Sequence, residues 1–287
     1  MDDVPVQWLA DAGLASDIRR LAHHDHDQSF CQRSSILTPQ DLASRLHAEK
    51  RFHIQRALSE SCYWGRAIER NQKKPSDQRW IETFSKGSAT VDDVKEFFPT
   101  YQIHRAPWQF ETVAIQVNGL HDDKDWTPTS GIQALAKSLP KALENSKDGK
   151  ALQDGHRTSA ASKVAMFARP GDDVFIWDRL ANVAVGVRVA ARNTVAKAIK
   201  YNVKGPNGYD VFHRHCMREL EAELEVVEFI AAVDEFMDFT AFARSGREPE
   251  QLAGRRYFER RLFDKLLVCE GVRIEELRAA GREFDRC

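Results

Sequence analysis

Apolar residues recur at helical spacing through most of this chain, and strict alternation of apolar and polar positions is rare. In DLASRLHAEKRFHIQRALSE, residues 41–60, Leu42, Leu46, Phe52, Ile54 and Leu58 fall on one stripe, which predicts a helix. VDDVKEFF at 91–98 predicts a short helix that Pro99 ends. A further helix is expected at about 132–144, with Pro140 at a kink or boundary, and a compact small-residue helix from Ser159 to Ala168. After a tight turn, RPGDD at 169–173, residues 178–200 read as a helix with an apolar face and a basic edge. Residues 210–243 read as one or two long helices and 254–269 as a last one. Val113–Val117 carries the best strand signal, and a helix fits it equally well. Polar breaks fall at NQKKPSD (71–77), GLHDDKDWTPTSG (119–131), NSKDGKALQDGHRT (145–158) and NVKGPNG (202–208). The expected fold class is mainly α.

Composition narrows the class without naming a function. At 287 residues the chain is long enough for one large domain or two small ones, and 42% hydrophobic residues permit a sizeable core. Charged residues make up 30% and the mean hydropathy is -0.52, so the surface is well solvated and no apolar run is long enough for a membrane span. The opening MDDVPVQWLADAG has no basic start followed by an apolar block, so no secretory signal is expected. The five cysteines are scattered and odd in number, without a CxxC pair, which suggests neither a zinc site nor a disulfide framework and fits a cytoplasmic protein. A formal net charge of -1 gives no global attraction to nucleic acid, so any such reading rests on local features.

The informative stretch is ALQDGHRTSAASKVAMFARPGDDVFIWDRLANVAV, residues 151–185. It reads as a glycine-containing turn at Gly155-His156-Arg157-Thr158-Ser159, a helix at Ala160–Ala168, a turn, and the acidic residue Asp178 opening the next helix. This pattern resembles the helix-hairpin-helix DNA glycosylase superfamily, in which a hairpin precedes a small-residue helix and an essential aspartate follows about twenty residues later. Ser159 to Asp178 is 19 positions. The sequence departs from the family at Arg157, which replaces the second hairpin glycine, at Ser159, where the lyase-competent branch has lysine, and at Ile176, where a proline is common.

The resemblance implies a helix-hairpin-helix glycosylase-like helical fold, with an N-terminal helical region at 1–100, a hairpin and catalytic core at 101–205, and C-terminal helices at 206–287 packing on that core. It implies a hairpin that puts backbone N–H groups on a DNA phosphate, and a carboxylate, Asp178, facing the sugar of a flipped-out nucleotide. A carboxylate there stabilises the oxocarbenium-like sugar as the N-glycosidic bond breaks. On this reading Gly155, His156, Arg157, Thr158, Ser159 and Lys163 contact DNA. Arg188 and Arg192, i,i+4 neighbours on the next helix, add phosphate contacts. Trp108, Trp126 and Trp177 are candidate walls of a base pocket.

With Ser159 in place of the lysine, the expected enzyme is monofunctional. It excises a damaged or modified base from duplex DNA, leaves an abasic site, needs no cofactor and acts as a monomer. A role in phage defence is an alternative to repair. A non-catalytic helical DNA-binding protein and a helical interaction protein are the competing classes. The run His23-His24-Asp25-His26-Asp27 lacks a distant ligand to complete a set, so no metal site is expected. His213 and His215 flank Arg214 on a helix face rather than forming a ligand set, and Cys62 has no histidine at a recognisable catalytic spacing.

Overall fold

The computed structural model describes residues 37–65, 77–103, 108–139, 154–203, 206–239 and 254–284. These fold into α1 (Pro39–Ala48), α2 (Lys50–Gly65), α3 (Asp77–Phe84), α4 (Val91–Thr100), α5 (Phe110–Asp122), α6 (Pro128–Ser138), α7 (Asp154–Ala168), α8 (Arg179–Arg192), α9 (Tyr209–Glu223), α10 (Val227–Asp238) and α11 (Gly254–Phe284). No strand occurs among the described residues, so the protein is mainly helical. Nor, among them, is any helix long and apolar enough to cross a membrane.

Short polar side chains set several helix starts. The Thr38 hydroxyl accepts the Asp41 N–H at 3.2 Å, and the Asp41 carboxylate accepts the Thr38 N–H at 2.9 Å. Thr90 and Asp93 repeat this reciprocal box before α4, and Thr127 caps α6 ahead of Pro128. Such caps satisfy N–H groups that have no partner inside the helix.

Several elements differ from the sequence reading. The stripe at 41–60 is broken at Glu49, which closes α1 and whose carboxylate takes Arg273 of α11 in a two-bond pair at 2.7 and 2.8 Å. Phe52 is consequently 64% exposed, and His53 takes the inward position. α4 continues through Pro99 to Thr100, with the Tyr101 N–H still bonded to Phe97 O. Val113–Val117 is helical: Val113, Ala114 and Val117 are buried while Ile115 is 68% exposed, a period near four rather than two. α8 stops at Arg192, well short of residue 200. Thr194 turns left-handed at φ 54, and the chain folds back so that Ile199 N–H bonds Gly186 O. The last helix is 31 residues long, twice the expected length.

α11 packs most closely against α8 and α2, and α1 also packs against α8. α7 lies against α6, α3 and α5. Two bare main-chain contacts set how near the neighbours of α8 come. A Cβ on Gly271 of α11 would meet Leu180 O, and one on Gly186 would meet Ile199 O. Behind α7, Trp80, Phe84, Phe97, Tyr101, Phe167 and Tyr257 form one aromatic cluster with mostly tilted or edge-on contacts.

Candidate active site

Asp178 follows a buried, non-helical segment, residues 174–177, that has no sheet partner among the described residues. Buried backbone groups need partners, and here side chains supply them. The Tyr209 hydroxyl donates to Phe175 O at 2.8 Å and accepts the Phe175 N–H at 3.3 Å. Arg260 donates to Val174 O at 3.2 Å, and His213 Nε2–H to Asp173 O at 2.6 Å. The Ser162 hydroxyl of α7 accepts the Trp177 N–H at 2.9 Å and donates to Ser159 O at 3.0 Å. Asp178 itself is extended, at φ -121 and ψ 150, and half-buried. Its Oδ1 accepts the Leu180 N–H at 2.8 Å, capping α8.

Lys163 of α7 faces the same neighbourhood. Its Nζ donates to Tyr101 O at 2.9 Å, a carbonyl at the negative end of α4. Burial pulls the pKa of this amine below its ordinary value, opposed by the carboxylates of Asp178 and Asp264. Asp264 of α11 is buried, which pushes its carboxyl pKa up against the pull of Arg261, whose Nη1 donates to it at 3.2 Å. Arg261 also reaches Asp77, with Nε to Oδ2 at 2.8 Å. Asp77 additionally accepts the hydroxyls of Tyr101 and Tyr257, the latter at 3.2 Å. A charged chain thus runs from the half-exposed Asp178 past Lys163 into the core.

The structure corrects several expected site residues. Gly155 to Ser159 form the first turns of α7, not a hairpin. Thr158, Ala160 and Ala161 are buried there. Lys163 is turned inward to Tyr101 rather than standing on an open surface. Arg188 has a side chain only 12% exposed, bound to Glu270 at 2.5 and 2.7 Å and to Glu223 at 2.8 Å. Arg192 bonds Glu219 at 3.0 Å. Both arginines line a pocket of about 190 Å³ with Lys50, Glu219, Glu223 and Glu270, so carboxylates of α9 and α11 face both guanidinium groups.

The three tryptophans pack against different partners and do not form one wall. Trp177 sits among Tyr201, Tyr209 and Phe212, Trp126 against Gly131 and the Arg169 guanidinium, and Trp108 edge-on to Phe98.

Asp77, Ser162, Arg261 and Asp264 escape the sequence reading. A signal exists for two of them: Arg261 and Asp264 interrupt the apolar stripe of α11 at the spacing that Tyr257 begins. Among the described residues no group of three or more His, Cys, Asp or Glu is placed to hold a metal ion. His23–Asp27 lies outside the described residues, as do residues 140–153 before α7. His213 and His215 are engaged separately, His215 with the Tyr201 hydroxyl at 2.6 Å. Comparison with protein-family models, curated proteins and solved structures finds no match to this chain.

Proposed function

We propose that this protein is a monofunctional DNA N-glycosylase that flips a damaged or modified base out of duplex DNA and hydrolyses its bond to the sugar, with Asp178 as the catalytic carboxylate. The observation that carries the reading is the placement of Asp178: a half-exposed carboxylate at a helix start, held beside the lysine-bearing face of a small-residue helix. Positive charge that develops on the sugar ring is stabilised by a fixed carboxylate, which also orients the attacking water. The DNA backbone is taken up at the N-terminus of α7, where first-turn N–H groups have no partner within the helix. Arg188 is left out of that surface by its burial. The enzyme acts as a cytoplasmic monomer without a cofactor, in repair or against phage DNA carrying modified bases.

The test is release of free base, scored by mass spectrometry, from duplexes carrying a uracil, a hypoxanthine, an alkylated adenine, an oxidised guanine or a glucosylated hydroxymethylcytosine. Asp178→Asn is expected to lower excision by roughly 10²–10⁴-fold with DNA binding retained. Excision at an unchanged rate refutes the assignment. Borohydride should trap no covalent adduct. A trapped adduct that disappears in Lys163→Ala makes the enzyme bifunctional, with that amine as its nucleophile. A second reading, a helical binding protein without chemistry, is favoured by the bond from Leu180 N–H to Asp178, which is an ordinary N-cap. Retention on a DNA column at low salt with no base release from any duplex supports a non-catalytic DNA binder, and failure to be retained supports an interaction protein.

A further inference from the structure

We infer that Ser162 is a positioning residue for Asp178: its hydroxyl locks the chain entering α8 onto α7, and so fixes where Asp178 stands relative to that helix. The inference rests on the glycosylase reading above and adds to it a residue that touches neither sugar nor base.

The segment ahead of Asp178 has no sheet neighbour among the described residues, so beyond the packing of its buried side chains its main-chain groups are held by a few side-chain bonds. Of these, the bond to the Trp177 N–H lies nearest Asp178 in the chain, one residue before it, and its acceptor is Ser162 Oγ at 2.9 Å. The same hydroxyl donates to Ser159 O within α7, at 3.0 Å. Its proton is therefore committed to its own helix, and its lone pairs are left for Trp177. Both Ser162 and Trp177 are buried, so water does not substitute for either partner. The next residue of α7, Lys163, is tied to Tyr101 O and interacts electrostatically with Asp178. One turn of α7 thus carries both the latch on the chain before Asp178 and the amine beside it.

On the far side the fit is steric, because Gly271 of α11 lies directly against Leu180, two residues past Asp178. A rigid contact on one side and a single hydrogen bond on the other make the hydroxyl the adjustable half of the clamp. Without it the Trp177 N–H is buried and unpaired, and the segment relaxes away from α7.

The experiment is a double-mutant cycle in the full chain. Single-turnover base release is measured for the parent, Ser162→Ala, Asp178→Asn and the double variant, on whichever duplex of the panel the parent processes. Duplex affinity and thermal melting are followed in parallel. Ser162→Ala removes one oxygen from a fully buried site, and a group displaced by about 1 Å loses on the order of 10- to 100-fold in rate. That loss is expected in the rate and not in duplex affinity. It is expected to vanish in the Asp178→Asn background, because the hydroxyl acts only through the carboxylate. Ser162→Cys, similar in size and a weaker acceptor, should fall between parent and alanine, and it serves if the alanine variant does not fold.

An equal rate loss in both backgrounds makes Ser162 merely structural and overturns the inference. A parent-like rate for Ser162→Ala, or for Ser162→Cys where that variant has to stand in, overturns it also and leaves the glycosylase reading intact. A parent that releases no base from any duplex overturns that reading and this inference together.

Discussion

Gly271 sits within α11 where that helix meets the start of α8, and replacing it tests the packing that places Asp178. A Cβ built there lies 2.7 Å from Leu180 C and 2.8 Å from Leu180 Cβ, and closest of all to Leu180 O. Main-chain atoms of a packed helix do not rotate aside, so α8 or α11 has to move. Gly281 of the same helix is the internal control, because a Cβ there meets nothing within 4 Å. Alanine improves helix propensity at both sites by roughly 1 kcal/mol, and that term cancels in the comparison. What remains is the overpacking at Gly271, about 1–3 kcal/mol.

Gly281→Ala should therefore raise the urea midpoint slightly, and Gly271→Ala should fall below Gly281→Ala by that margin at unchanged m-value. In a thermal scan the same margin appears as roughly 2–4 °C for each kcal/mol. If the two variants are equally stable, or Gly271→Ala is the more stable, the close approach of α11 to Leu180 does not exist. The steric side of the clamp on Asp178 would then fall with it.

Other substitutions and conditions probe the buried charges. Arg188→Ala leaves Glu270 and Glu223 without their guanidinium, so it should destabilise by about 3–5 kcal/mol in urea unfolding, with no change in the salt dependence of duplex binding. A weakened salt dependence in a folded variant would place Arg188 on the DNA after all. Asp77→Ala removes the carboxylate that Arg261, Tyr101 and Tyr257 share, and a loss of about 3–5 kcal/mol is expected by the same measurement. Burial holds the pKa values of His53, His213 and His215 below the ordinary histidine value. The unfolded chain therefore binds their protons first, and their contribution to stability, full above about pH 6.5, is lost as pH falls through the lower folded values. Melting temperature should drop on acidification through this window, with a shallower slope in His53→Gln; a parent-like slope in that variant removes His53 from the explanation.

Helical character, several helix starts and the junction at Asp178 were legible in the sequence because each depends on neighbours within a few residues. Asp178 marks the start of α8 because its carboxylate needs only the Leu180 N–H. Tertiary partners decided the rest. Glu49 breaks a continuous helical stripe and pairs with Arg273, 224 positions away. Arg188 looks like a basic edge in its own helix and becomes the centre of a buried network through Glu270, 82 positions away. Gly155 to Ser159 carry turn residues and still extend α7, in which Thr158 is buried. The polar groups around Asp178 follow the same division. Its carboxylate was visible as a local feature, whereas Ser162, Asp264 and Arg261 acquire their roles only when α7 and α11 converge beside it. Period and capping act over a single helical turn, while the choice of partner for a buried charge or an orphan N–H is made by whatever surface the folded chain brings near.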